Sequence, residues 1–396
     1  MTTATPIERL RAALLADEAA QLRLAPLADA GAFLDAIAAH AAALGLPISR
    51  EIFAAGLARA ATPQMRQQLP ALILTEAPPR HWLPVDLKRH QGQILVEWEH
   101  FAGLPLTDPF FEETMRRVRS LPFNALMRIA TPLAALEPFA AAPAPDGLVF
   151  HMSRCGSTLV GQMLGAIPEH IVVAEPPALD TMIRLAGRGQ VPPAMVRAMA
   201  GALTRDRSGM TRHRFVKLDA WHAFVLPMLR GVWPDTPWTF LYRDPVEVLV
   251  SQHRRPGLHC RPGVLPLDAY GVDASAASGD YAAWILDGIC RAALGAIDDR
   301  CLPLDYRQLP DALIDAMLPH FGVVPDAAEL ERIRAAGGRY SKAPGRAFTG
   351  DSEAKQQAAS PALRAAAAPL LATYARLQEK RQALESAASS RAAAPS

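Results

Sequence analysis

Two clusters of residues in this sequence have the types and spacing to hold anions. The first is Leu148-Val149-Phe150-His151-Met152-Ser153-Arg154-Cys155-Gly156-Ser157-Thr158-Leu159. An apolar run suited to a buried strand enters a tight glycine turn and then a helix that starts with Ser157 and Thr158. Successive backbone N–H groups at such a turn cradle phosphate oxygens, and the helix N-terminus adds a favourable field. The hydroxyls of Ser157 and Thr158 supply further donors, and Arg154 can reach over the bound group. The same Ser-Thr pair before an apolar run also reads as a plain helix cap. A triphosphate-binding loop would read G-x-x-x-x-G-K-[ST]. Here Ser157 stands where that lysine belongs, and Met152–Cys155 lacks the early glycine. The pattern favours a single phosphate-like diester over a triphosphate with Mg²⁺.

The second cluster is Thr239-Phe240-Leu241-Tyr242-Arg243-Asp244-Pro245 and the segment through Ser251. A strand ends at Tyr242, Arg243 sits at its carboxyl end, and Pro245 opens a helix at a position proline tolerates. Ser251 follows Arg243 by eight residues, about two helical turns, so its hydroxyl can face the same groove as the guanidinium. An arginine fork with a hydroxyl suits a second, separate phosphate. The other reading pairs Arg243 with Asp244 or a helix end and leaves Ser251 in solvent.

These segments, SRCGSTL, AEPP, VKLD and LYRDPVEVLVSQ in that order, resemble the P-loop sulfotransferase superfamily. The motifs are similar to those of bacterial members and of tyrosylprotein sulfotransferases, over roughly residues 147–350. The resemblance implies transfer of a sulfuryl group from 3′-phosphoadenosine 5′-phosphosulfate (PAPS) to an acceptor hydroxyl on a peptide, a sugar or a small metabolite. It places the 5′-phosphosulfate on Arg154, Cys155, Gly156, Ser157 and Thr158, and the 3′-phosphate on Arg243 and Ser251. It makes Lys217 the group that offsets charge on the sulfuryl and bridging oxygens, with Arg154, and Glu175 the general base. Asp305 through Leu309 resembles the family's late strand and its Tyr-Glu-x-Leu loop, with Arg307 in place of the glutamate. Tyr340 through Lys355 resembles the loop that closes over the nucleotide, which would add Ser341 and Arg346. Small-molecule members of the family carry a histidine two residues after the strand lysine. Here that position is Asp219, which leaves Glu175 as base and Asp219 as the runner-up; the alternative for Glu175 is an ion pair with Lys217 or Arg154. His222 and His253, near these motifs, read as structural or substrate contacts. Preorganised donors and a positioned carboxylate are also what sulfuryl transfer needs physically. A nucleotide kinase and a non-catalytic nucleotide-binding protein are the competing classes.

The elements that must position these groups follow an α/β pattern. Leu148–His151, Ile171–Ala174, Phe215–Leu218, Thr239–Tyr242 and Cys301–Tyr306 are strand candidates, and each but the last leads into a loop and a helical stretch. The expected fold is α/β: a parallel sheet flanked by helices, with ligands at the strands' carboxyl ends. Glu175 should leave its strand beside the first strand, held extended by Pro176. Residues 1–60 read as a helical module, on Leu10, Leu14 and Leu15 and on Phe33, Leu34 and Ile37 at helical spacing. Residues 61–145 form a mixed hairpin and helix connecting region with a strand at Gln93–Trp98 and a helix from Asp108-Pro109. Residues 146–385 form the sulfotransferase-like domain, and 386–396 an Ala/Ser-rich disordered tail. The N-terminal segment also resembles the Nif-type leader domain of some bacterial peptide natural products, through Asp17-Glu18 and A-x₃-G-x-x-I-S. That resemblance favours a peptide-derived acceptor.

The bulk numbers bound the rest. The 396 residues carry a formal charge of only +2, and half are hydrophobic. A strongly basic nucleic-acid binder and an acidic disordered chain are thereby excluded. Four cysteines without C-x-x-C spacing read as reduced thiols of a cytoplasmic, bacterial protein. No His/Cys/Asp cluster has metal-ligand spacing, so no metal is expected. The N-terminus lacks the apolar core of a signal peptide, and the sequence has no apolar run of about 18 residues, so no membrane span is expected.

Overall fold

Apolar residues at helical spacing shape the start of the chain. Leu10 and Leu14 are the buried residues of the helix Pro6–Ala16, and Phe33, Leu34, Ile37 and Ala41 those of Ala30–Ala43. Thr5 and Glu8 form a capping box on the first helix, and Asp17 and Asp29 cap the helices Glu18–Leu24 and Ala30–Ala43, each satisfying N–H groups that a helix start leaves open. In this computed structural model, residues 5–59, 71–338 and 351–392 are described. Four strands follow these helices: β1 (Leu72–Ile73), β2 (Trp82–His90), β3 (Gln93–His100) and β4 (Ile129–Pro132), in the order β1-β4-β3-β2. The β2–β3 hairpin turns at Gln91 and Gly92, both with positive φ, as a tight hairpin requires. Trp82 is fully buried, and its Nε1–H donates to Gln21 Oε1 at 2.9 Å. Gln21 Nε2 in turn donates to the Leu14 carbonyl at 2.8 Å. The buried amide therefore joins the helices to the sheet. Met1–Ala142, with Pro176–Thr181 and Ala198–Thr211, make up this first compact unit.

The second unit takes Pro143–Glu175, Met182–Arg197 and Arg212–Ser396. Its strands are β5 (Gly147–His151), β6 (His170–Ala174), β7 (His213–Lys217), β8 (Trp238–Tyr242) and β9 (Cys301–Asp305), all parallel, in the order β6-β7-β5-β8-β9. They are short, largely buried runs, as strands covered on both faces are. The α/β class is as the sequence indicates. One neighbour relation is not: β7 lies between β5 and β6, so Glu175 leaves a strand once removed from the first. The connection β5-helix-β6 skips one position, and β7 fills it. The chain then crosses to the other side of β5 to make β8, so the order reverses around β5, the place where open α/β sheets hold ligands.

Residues 386–392, expected as part of a disordered tail, continue the helix Ala368–Ala392. Alanine is the strongest helix former, so an Ala-rich stretch extends a helix that is already nucleated. No described helix is long and apolar enough to cross a membrane.

Candidate functional site

β5 ends at His151, and Met152–Gly156 carries the chain into the helix Ser157–Leu164. Within this turn Ser153, Arg154 and Gly156 have φ of 78°, 55° and 88°. Left-handed residues in succession gather backbone N–H groups into an anion-binding concavity. Gly156 is the N-cap and no side chain caps this helix. Ser157 and Thr158 lie inside its first turn, so the plain-cap reading of the pair does not hold. A Cβ on Gly156 would sit 2.8 Å from Leu309 Cδ1 and 3.0 Å from the Tyr306 ring. Both space and dihedral therefore require glycine. The Cys155 thiol donates to the Leu241 carbonyl at 3.2 Å, and burial pushes its pKa up to about 12. Its side chain is thus a protonated packing group, and only its backbone can serve a ligand.

The loop from Arg154 to Leu159 lines a cavity of about 370 Å³ together with Arg243 and Ser251. The two candidate motifs therefore share one space within the second unit. Arg243 Nε donates to Glu247 Oε2 at 2.6 Å, and one of its terminal nitrogens to Asp351 Oδ1 at 2.6 Å. The Tyr306 ring stacks 3.9 Å from the guanidinium carbon. Burial would lower the Arg243 pKa, but the Asp351 carboxylate outweighs it and the net direction is up. Asp244, the partner suggested by sequence, instead accepts from the Glu247 N–H at the helix start. The Ser251 hydroxyl donates to the Glu247 carbonyl at 3.0 Å. Arg254, Arg255 and Lys355 also face the cavity. They were missed in the sequence, where the first two are only a basic pair at a helix end. Five cations thus face one carboxylate, Asp351, a strong preference for a polyanion. Ser341 and Arg346, with the rest of the segment 339–350, lie outside the described residues.

Glu175, Lys217 and His151 form a second cluster at the strand ends. Glu175 has φ of 53°, not the extended backbone that Pro176 favours. Its N–H donates to the Lys217 carbonyl at 2.8 Å, which continues the ladder past the strand and turns the residue left-handed. Such a conformation costs about 1–3 kcal/mol and persists only where its surroundings fix it. Glu175 Oε1 accepts from Lys217 Nζ and lies 3.1 Å from His151 Nε2. Burial alone would raise the carboxyl pKa, but the Lys217 charge and the His151 hydrogen bond hold it well below the usual range. Lys217 is 1% exposed. The expected alternative of an ion pair between Glu175 and Lys217 is therefore present. Asp219 caps the turn Ala220–Val225 in a reciprocal capping box with His222. His253 pairs with Asp280 at 2.8 Å.

No protein-family profile matches the chain, and no curated protein matches it. Among solved structures it is similar to a sulfotransferase from Mycobacterium avium, with 14% identity and a TM-score of 0.37 over 56% of this chain and 74% of that one. It is similar to the sulfotransferase domain of the curacin biosynthetic pathway, with 13% identity and a TM-score of 0.35 over 58% and 98% of the two chains. It is also similar to the sulfotransferase domain of a Synechococcus olefin synthase, with 17% identity and a TM-score of 0.30 over 56% and 82%. At these values the functional reading rests on the chain's own residues.

Proposed function

We propose that this chain transfers a sulfuryl group from PAPS to an acceptor hydroxyl. One observation carries the reading: a phosphate loop without its lysine opens into the same cavity as Arg243 and Ser251. PAPS has two phosphate-bearing ends that need separate sites, and a triphosphate with Mg²⁺ does not match that pair. In this reading the loop N–H groups, Ser157, Thr158 and Arg154 hold the phosphosulfate. Arg243 exchanges Asp351 for the 3′-phosphate. The acceptor oxygen attacks sulfur, the bond from sulfur to the bridging oxygen breaks, and that electron pair leaves with 3′,5′-bisphosphoadenosine. Lys217 turns from Glu175 toward the bridging oxygen as its charge develops. Glu175, relieved of that partner, takes the acceptor proton. The leader-like pattern of residues 1–60 supports a peptide-derived acceptor.

Calorimetry tests the donor site. The bisphosphate should bind without metal and more tightly than ATP–Mg²⁺. Tighter binding of ATP–Mg²⁺ would place the chain with the phosphotransferases instead.

A further inference from the structure

We propose that His151 is a positioning residue for Glu175, holding Oε1 from the phosphate loop so that Oε2 is left as the proton-accepting oxygen. The proposal rests on the sulfuryl-transfer reading and adds a residue to it.

His151 is the last residue of β5 and is 5% exposed. Its Nδ1 accepts the backbone N–H of Ser153 at 3.1 Å. A backbone N–H only donates, so Nδ1 must carry the lone pair, and the proton of the neutral ring sits on Nε2. Nε2 faces Glu175 Oε1 at 3.1 Å, and an ionised carboxylate only accepts. The two contacts thus demand the same tautomer. A doubly protonated ring would set Nδ1–H against Ser153 N–H. Burial also lowers the His151 pKa, against the pull of Glu175, in keeping with a neutral ring.

Lys217 donates to the same oxygen, Oε1. No described residue donates to Oε2, and the Glu175 side chain keeps 18% exposure. Two donors on one oxygen fix the carboxylate about its last torsion and direct the other oxygen outward. When Lys217 turns to the bridging oxygen, His151 is the donor that remains on Oε1. The same ring holds Ser153, a left-handed residue of the loop whose hydroxyl accepts from Gln252 Nε2 at 3.1 Å. One imidazole therefore joins the loop that grips the donor to the carboxylate that takes the proton.

Two substitutions separate these contacts. His151→Gln places an amide N–H near Oε1 and gives up the Ser153 contact. His151→Asn keeps an oxygen for Ser153 N–H and gives up the Glu175 contact. The readouts are bisphosphate affinity by calorimetry, kcat for PAPS with water as the probe acceptor, and the tautomer from ¹⁵N spectra of histidine-labelled native protein. We expect an Nε2–H tautomer. His151→Asn should keep bisphosphate affinity and lose roughly 10²-fold in kcat, the scale of a misplaced catalytic group. His151→Gln should recover most of that kcat. An Nδ1–H tautomer, or equal losses of kcat in both variants, would overturn the positioning role. A native chain that binds no bisphosphate would instead overturn the sulfuryl-transfer reading, and the histidine spectrum would still report the tautomer.

Discussion

Glu175 and Lys217 hold one another at the strand ends, and the Lys217 charge lowers the Glu175 pKa. With Lys217 in place the Glu175 carboxyl lies well below the usual carboxylate range. Turnover of PAPS should then show no acid limb near pH ~4.3, the ordinary glutamate value. Lys217→Ala removes the largest lowering influence, while burial still raises the carboxyl and His151 still lowers it. An acid limb should then move up in pH relative to the native chain, on a kcat lowered by roughly 10²–10³-fold. Stability follows the same signs. In the native chain Glu175 stabilises the fold fully above its unfolded pKa, and that contribution is lost as pH falls through the lower folded value. With alanine at 217 that contribution shrinks, because the folded pKa moves up toward the unfolded value. Glu175→Gln keeps the shape and removes the basicity, so kcat should drop by about 10²-fold or more while bisphosphate affinity holds. Near-normal turnover in Glu175→Gln, with loss in Asp219→Asn, would move the base to Asp219. The residue types of this site were legible in the sequence, with the Glu175–Lys217 pair as one alternative, and the strand order that brings them together was not. Lys217 and Glu175 stand 42 positions apart and meet because β6 pairs with β7, an order that no local pattern encodes.

At the scale of elements, the loop depends on Gly156. Its φ of 88° and the 2.8 Å approach to Leu309 Cδ1 leave no room for a methyl group. Gly156→Ala should therefore reshape the turn, lower the melting temperature and weaken bisphosphate binding at least tenfold, while Gly92→Ala, in the first unit, leaves binding unchanged. Equal binding in native and Gly156→Ala protein would mean that the turn does not form the phosphate cradle. The strands of the second sheet were readable to within about two residues because buried parallel strands are continuous apolar runs. A hairpin was expected in residues 61–145, but the residues of β2 were not placed. Pro84 breaks its apparent run, and the sheet accommodates it by a register shift between Pro84 and Asp86, an irregularity that strands use to absorb a residue lacking an N–H. The left-handed Glu175 escaped for a different reason. The clash with Pro176 disfavours this backbone, and the bond from Glu175 N–H to the Lys217 carbonyl accompanies it.

At the scale of the whole molecule, the first unit is assembled from three separated stretches of chain, and buried polar contacts join parts of it. Arg205, in the third stretch, donates to the carbonyls of Pro78, Pro79 and Trp82 and lies 5.4 Å from the Trp98 ring centroid. Gln21 bonds the Trp82 indole on one side and the Leu14 and Leu15 carbonyls on the other. The leader-like reading of residues 1–60 treats them as separable, but a buried indole and a buried amide that satisfy each other oppose simple removal. Gln21→Ala leaves the Trp82 N–H without its partner, which should cost about 1–3 kcal/mol. All the cavity-lining residues belong to the other unit, so the bisphosphate affinity of Gln21→Ala should equal that of the native chain. Thermal unfolding with and without the bisphosphate reads both effects. At a hundredfold excess over Kd the ligand should stabilise the unit that binds it by about 2.7 kcal/mol, and Gln21→Ala should lower the other transition alone. A single transition that shifts with both the ligand and the Gln21 substitution would show that the two units unfold as one, and the N-terminal helices would then be part of the folding unit that holds the nucleotide.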